Sequence, residues 1–254
     1  MKFASWNVNG IRACTKNGFV SWFDQQDFDV IGLQEVRALP DQIPMEVQAL
    51  KAHQFWFPAQ KKGYSGVGLL ARERPLKLTC GLGLEEFDCE GRVITGEWDK
   101  FFFLSIYFPN SQDGGARLKY KIAFCEALAG WVHKLQKTGK AVVVSGDYNI
   151  AHQEIDLARP DDNHESAGFL PEERQWMGQF LNQGWVDSFR YLHPTARDMY
   201  TWWSARMRAR ERNVGWRIDY LCVNQSHQEL IEKAGMQMQV LGSDHCPATI
   251  ELRL

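Results

Sequence analysis

The chain lacks any apolar stretch long enough to cross a bilayer. Its richest run, Phe101 to Phe108, falls far short of the roughly 20 residues a spanning helix needs. The N-terminus also lacks the apolar core of a secretory signal. A soluble, intracellular protein is therefore expected, cytoplasmic and, in a prokaryote, nucleoid-associated. Cysteine is sparse and scattered: Cys14, Cys80, Cys89, Cys125, Cys222 and Cys246 form no CxxC pair and no zinc-type spacing. That excludes a disulfide framework or zinc finger, and reduced structural thiols are expected. No Pro/Gly/Ser-rich linker, charge block or internal repeat divides the sequence, so a single domain over residues 1–254 and a monomer are expected. Gly81-Leu-Gly83 has neither the third glycine nor the following acid of a dinucleotide-binding loop. A large excess of charge is missing too: 29 Lys and Arg face 31 Asp and Glu. A polyanionic partner would have to meet a local basic face.

What is present describes a globular enzyme-sized chain. With 44% hydrophobic residues in 254, it can bury a large core. Short β-branched and aromatic runs recur and stop at a carboxylate or carboxamide: Phe3 to Trp6 before Asn7, Val30 to Leu33 before Gln34 and Glu35, Val142 to Val144 before Asp147 and Asn149. A fourth run, Ile218 to Val223, carries Asp219 within it. This pattern suggests strands delivering polar groups to one rim. Helical spacing appears at Phe19–Phe23, at Leu118–Leu135 closed by Gly139, and at Trp176–Leu181, opened by Pro171-Glu172-Glu173. Hairpins are expected around Glu85–Arg92 and Asp99. The irregular alternation predicts an α/β fold, a four-layer sandwich of two mixed β-sheets flanked by helices.

Polar words stand out against this background. Ser145-Gly-Asp147-Tyr-Asn149 sets a carboxylate and a carboxamide two residues apart on a strand end, although Gly-Asp is also ordinary turn chemistry. Gly242-Ser-Asp244-His245 pairs an acid with a histidine, a combination that also caps turns. From Arg197 to Arg217 six arginines face Asp198 and Glu211, which reads equally as a solvated face or as a phosphate-binding one.

The chain order Asn7, Glu35, Tyr107, Asp147-x-Asn149, Asp219, Asp244-His245 resembles the exonuclease III/AP-endonuclease family of DNA repair nucleases, within the DNase I-like superfamily. The surrounding words Trp6-Asn-Val-Asn-Gly-Ile-Arg12, Leu33-Gln-Glu35, Lys62-Gly-Tyr-Ser-Gly66, Gly168-Phe-Leu-Pro-Glu-Glu-Arg174 and Asn213-Val-Gly-Trp-Arg-Ile-Asp-Tyr220 extend the likeness over essentially the whole chain. The resemblance implies a magnesium-dependent hydrolase that incises duplex DNA 5′ to abasic sites, leaving a 3′-hydroxyl and a 5′-deoxyribose phosphate. Companion activities it implies are 3′→5′ exonuclease, cleaning of 3′-blocked ends, and incision beside damaged bases or uracil.

On the same resemblance Glu35 is the principal ligand of Mg2+, or of Mn2+ as a substitute, with Asn7, Asn9 and Asp244 close by. Asp147 orients or deprotonates the attacking water and Asn149 helps hold it. His245 pairs with Asp219 and faces the phosphate as a cation, and Tyr107 adds a phenol. Trp202, Trp216 and Ile218 wall a pocket for a sugar without its base, although tryptophans are more often core. Lys61, Lys62, Tyr64, Arg72, Arg206, Arg208, Arg210 and Arg212 contact phosphates or enter a groove. Two departures stand out: Asn9 replaces an aspartate of some relatives, and Asp113-Gly-Gly115 replaces an arginine-bearing loop. Two alternatives share the metal-site residues: a phosphoesterase of the superfamily acting on phosphoinositides, sphingomyelin or undamaged DNA, and a non-catalytic nucleic-acid-binding relative.

Overall fold

A computed structural model describes residues 1–254. In chain order the elements are β1 (Lys2–Asn7), α1 (Ile11–Lys16), α2 (Phe19–Asp24), β2 (Val30–Gln34), α3 (Met45–Gln48), β3 (His53–Phe57), β4 (Val67–Ala71), β5 (Lys77–Cys80) and α4 (Glu85–Asp88). They continue with β6 (Val93–Glu97), β7 (Phe101–Tyr107), α5 (Leu118–Gln136), β8 (Ala141–Asp147), α6 (Pro171–Asn182), β9 (Trp185–Asp187) and α7 (Ser188–Leu192). The last strands are β10 (Trp202–Trp203), β11 (Gly215–Trp216), β12 (Asp219–Asn224), β13 (Ile231–Met236) and β14 (Ala248–Leu252).

Two six-stranded sheets result, in the orders β13-β14-β1-β2-β4-β3 and β5-β6-β7-β8-β12-β9. Each is antiparallel except for one parallel pair at its heart, β1 with β2 and β7 with β8. These four strands are buried along nearly all their length, because each lies inside a sheet covered on both faces; hence their unbroken apolar runs.

The sheets pack face to face through Phe3, Phe101, Phe103, Leu221 and Ile250, and Phe3 stacks on Phe103 at 5.6 Å between ring centroids. Outside the second sheet, α5 buries Phe124, Cys125, Leu128, Val132 and Leu135 on one face, and α6 adds Trp176, Met177 and Phe180. Outside the first, α1 and α2 contribute Ile11, Cys14, Phe19 and Trp22. The four layers are those the sequence predicts.

Two glycines bring the site together. At Gly32 a Cβ would lie 2.9 Å from Ser105 Oγ, so the sheets close there and polar pins form: Gln34 Nε2 donates to Ser105 Oγ (3.1 Å), and Ser5 Oγ donates to Gln34 Oε1 (3.2 Å). At Gly146 a Cβ would sit 1.9 Å from the Ile106 carbonyl oxygen, which only glycine avoids, and β7 and β8 carry Tyr107 opposite Asp147.

The expected turn at Asp99 joins β6 to β7, closed by Trp98 N–H on the Phe101 carbonyl (2.8 Å). Around Glu85–Arg92 the strands β5 and β6 do pair, but the connection is not a simple turn: it contains α4, and Asp88 accepts from the N–H groups of Leu82, Gly83 and Leu84. The cysteines are all unpaired; Cys80 is exposed, whereas Cys14, Cys125, Cys222 and Cys246 are buried. No helix is long and apolar enough to cross a membrane.

Candidate active site

Both parallel pairs end at the same rim, and the strand ends deliver the polar residues there. Asn7 closes β1, Glu35 follows β2, Tyr107 closes β7, Asp147 closes β8 and Asp219 opens β12 directly opposite Asp147. Asp244 and His245 lie on the approach to β14. The backbone there is unusual: Asn9, Glu35, Arg37 and Asn149 all hold φ between +44° and +52°. For residues with a Cβ this costs stability, and it marks side chains aimed by their surroundings rather than by local preference.

Hydrogen bonds tie these groups into one cluster. Asn7 Nδ2 donates to Glu35 Oε1 and Asp147 Oδ2, both at 2.9 Å, and so spaces the two carboxylates. His245 Nδ1 donates to Asp219 Oδ2 (2.8 Å), which leaves Nε2 3.9 Å from Asp147 Oδ2. Asn149 N–H donates to Asp147 Oδ1 (2.8 Å), and its amide donates to the Phe108 carbonyl (3.1 Å). Asn110 Nδ2 donates to Asn149 Oδ1 (3.0 Å). Asp244 accepts from Asn9 Nδ2 (2.9 Å) and Trp202 Nε1 (3.1 Å).

Acids outnumber bases in the cluster, and this shifts the ionisation of its members. Burial, then the charge of Asp219, pushes the Asp147 carboxyl up to about 7, against the pull of His245 and Asn7. Burial opposes charging His245, yet Asp219, Asp147 and Asp244 outweigh it and raise the imidazole to about 10. It is therefore a cation at neutral pH. Burial raises Tyr107 well above a free phenol, and the Glu35 and Asp147 carboxylates raise it further. Asp244 is held low: burial works against it, but His245, Trp202 and Asn9 prevail.

A divalent cation fits this donor set. Glu35 and Asp147 each bring a carboxylate oxygen within 4.8 Å of the other, and this oxygen-rich, net-negative pair suits a hard ion, whereas the protonated His245 beside them is a donor and not a ligand. Glu35 is only partly buried, lines the cleft beside Asp147 and is ion-paired with Arg37. Asn7 differs from expectation: its oxygen accepts the N–H of Asn9 (2.9 Å), so its NH2 end, not its oxygen, faces the carboxylates. In this arrangement it positions ligands and is not itself one.

The cluster opens into a cleft of about 800 Å³. On one side Trp202 and Trp216 meet edge to face at 6.3 Å and pack with Ile218, Leu157 and Phe169. Arg206 and Arg212, both exposed, line it, as do Asp113 and Gly114 of the arginine-less loop. Lys61 and Lys62 are exposed, and Tyr64 is half-buried, its hydroxyl accepting from Arg92 and Arg117.

Two expected DNA contacts are otherwise engaged. Arg72 follows the end of β4 that pairs with the start of β2, roughly 16 Å of strand from Glu35. There it is bound to Asp29 and the Asp27 carbonyl, on the opposite rim. Arg210 donates to the carbonyls of Ser243 (2.8 Å), Met238 (3.0 Å) and Val240 (2.5 Å) and covers Trp203, so it braces the loop before Asp244. Exposed Arg208 pairs only loosely with Glu211, at 3.9 Å.

Sequence reasoning missed Arg37, Asn110 and Arg92. Arg37 follows Glu35 by two residues, the one sequence clue to it. Arg92 likewise has an acid two residues away in Glu90, but its other partners, Tyr64 and the Tyr107 carbonyl, are supplied by the fold.

Residues 4–245 match the endonuclease/exonuclease/phosphatase family. Among curated proteins, the chain is 44% identical to an exodeoxyribonuclease of Bacillus subtilis, with both chains fully covered. It is 40% identical to DNA repair nuclease APEX1 of Danio rerio, over 99% of this chain and 82% of that one. Among solved structures, AP endonuclease LMAP of Leishmania major superposes with a TM-score of 0.88 at 29% identity, covering 100% of this chain and 87% of that one.

Proposed function

Because the chain belongs to the endonuclease/exonuclease/phosphatase family, in its AP-endonuclease/exodeoxyribonuclease DNA-repair branch, we propose that it incises duplex DNA 5′ to abasic sites with Mg2+ bound at Glu35. The observation that carries this reading is the juxtaposition of Asp147, His245 and Glu35 with an apolar wall of Trp202, Trp216 and Ile218 in one open cleft. A purely hydrolytic metal site would not require the second half of that pair.

Held by Glu35, a divalent cation would supply positive charge beside the phosphate and lower its resistance to attack. The residues do the rest. The Asp147 carboxylate, held beside the Asn149 N–H, accepts the proton of a water as its oxygen forms a bond to phosphorus. In-line displacement breaks the bond between phosphorus and the 3′ oxygen, which takes a proton from solvent to become a 3′-hydroxyl, while the phosphate stays on the 5′-deoxyribose. His245, kept cationic and oriented by Asp219, faces a non-bridging oxygen as a charged donor, and it is no nucleophile's partner. Tyr107, protonated throughout the working range, donates from the other sheet.

Trp202 and Trp216 leave room for a flipped-out sugar and exclude, by size, one that carries a base. Lys61, Lys62, Arg206, Arg208 and Arg212 hold the duplex by its phosphates without reading sequence. The same chemistry serves 3′→5′ removal of nucleotides or blocked 3′ ends, since each breaks a phosphate ester at a 3′ oxygen.

The test is digestion of a duplex oligonucleotide bearing one tetrahydrofuran abasic analogue, with Mg2+ or with EDTA, beside an undamaged duplex. Incision immediately 5′ to the analogue, with Mg2+ only, is expected. Equal cutting of both duplexes, or release of phosphate from a lipid headgroup with neither duplex cut, would overturn the proposal.

A further inference from the structure

Behind the site lies an ion pair with no exposure at either end. Lys121 of α5 and Glu173 of α6 meet at 2.6 Å. Removing two charges from water offsets most of their mutual attraction, so stability alone is a weak reason to keep such a pair where apolar side chains would pack. What distinguishes this one is its other partners.

Lys121 Nζ also donates to the Asn149 carbonyl oxygen (2.6 Å). The Ser111 hydroxyl donates to Glu173 Oε1 (2.6 Å), and the N–H groups of Gly168 and Leu170 donate to Oε2 (2.7 and 3.0 Å). Ser111 follows Asn110, whose amide donates to Asn149 Oδ1.

These contacts converge on two segments that bound the cleft. One is Asn149, with its own hold on Asp147. The other is Gly168, which has φ +93°, and where a Cβ would lie 3.1 Å from the Asn149 carbonyl oxygen and 3.4 Å from the Trp216 ring. The Gly168 carbonyl accepts from Ala151 N–H (2.8 Å). Gly168 is thus wedged between the end of the cleft that handles the phosphate and the tryptophan wall. The pair grips both sides of that wedge.

We propose that Lys121 and Glu173 are positioning residues that set the gap between Asn149 and the Trp216 wall, and thereby govern both the cleavage rate and the preference for a nucleotide without its base. This rests on the reading that the cleft admits a base-less sugar. Neither side chain touches DNA. The two outer helices act on the chemistry through the Asn149 carbonyl and the Gly168 N–H.

The experiment compares wild type, Lys121→Met/Glu173→Leu and Ser111→Ala on abasic and undamaged duplexes, with circular dichroism to establish folding. Deleting both charges leaves no unpaired ion, so the double variant is expected to fold. It should lose roughly ten- to a hundredfold in kcat on the abasic duplex, as misplacement of reacting groups does, with a lower abasic-to-undamaged ratio. KM should stay within about twofold, because phosphate contacts are untouched. Ser111→Ala, which removes one donor to the same carboxylate, should move kcat and the ratio in the same direction but less far.

A merely structural pair would lower Tm and leave both quantities at wild-type values. That result in the folded double variant, or in Ser111→Ala should the double variant not fold, overturns the proposal. Wild type separates the two layers of inference. If it shows no preference for the abasic duplex the pocket reading fails, while kcat on the DNA that it does cut still tests the positioning role.

Discussion

His245 points one ring nitrogen at Asp219 Oδ2, 2.8 Å away, and holds the other 3.9 Å from Asp147 Oδ2, so a single imidazole is shared between two acids on neighbouring strands. Its folded-state value of about 10 exceeds the ordinary 6.5 despite complete burial. A raised basic group stabilises the fold fully below its unfolded value, and that stability is lost as pH rises through its folded one. In EDTA, His245→Gln should therefore cost on the order of 2 kcal/mol at pH 6, and the gap from wild type should close toward pH 10.5. Urea unfolding at the two pH values measures this. A gap that widens with pH contradicts the assignment.

Asp147 is useful as a base only when ionised, and burial beside Asp219 lifts its pKa to about 7. The kcat of wild type should fall on the acid side, with a midpoint at or below 7 once a cation relieves the local negative charge. Asp147→Asn should lower kcat by roughly a thousandfold and abolish that acid limb, because no titrating base remains. A residual profile with the same midpoint would place the base elsewhere.

Glu35→Gln keeps the shape of the side chain and removes its charge. Calorimetric titration with Mg2+ or Mn2+ should show at least roughly tenfold weaker binding, about 1.4 kcal/mol. The rise in Tm that ligand binding gives wild type should shrink correspondingly. Unaltered metal affinity would shift the ion toward Asp244.

The arginines of the 206–212 segment should separate by partner. Arg206→Ala and Arg208→Ala should weaken binding to any duplex and reduce the salt slope of log K by about 1 each, with Tm unchanged. Arg210→Ala should instead lower Tm, because three carbonyls lose their donor. Fluorescence anisotropy over a salt series, with thermal melts, distinguishes the two classes.

The run of arginines shows where the sequence stops being legible. Its charge is visible at once, but two of its members face inward. Arg217 is fully buried between Asp156 and Asp187, 61 and 30 residues away, and Arg210 binds carbonyls from another loop. No local pattern announces partners that the fold supplies. The same holds for Arg72, whose place on the far rim depends on the direction of β4 relative to β2. By contrast, Asn7, Glu35 and Asp147 were legible because each closes an apolar run, and parallel strands bring such ends to a common edge, whereas Asp219 opens a strand antiparallel to β8 and, like Tyr107, was singled out by the family resemblance. Gly32 and Gly146 were visible as letters, whereas their meaning, contact between sheets and between strands, comes only from the fold.

Asn7, Glu35 and His245 belong to one sheet's side of the cleft, and Tyr107, Asp147 and Asp219 to the other's. The reacting groups therefore straddle a seam, and the aromatic filling around Phe3 and Phe103 serves as the shim that fixes its width. Repacking that shim with a slightly larger or smaller side chain would slide one half of the machinery against the other. Catalysis would then register interior mutations before thermal melting does, which makes activity the finer gauge of how well this interior is packed.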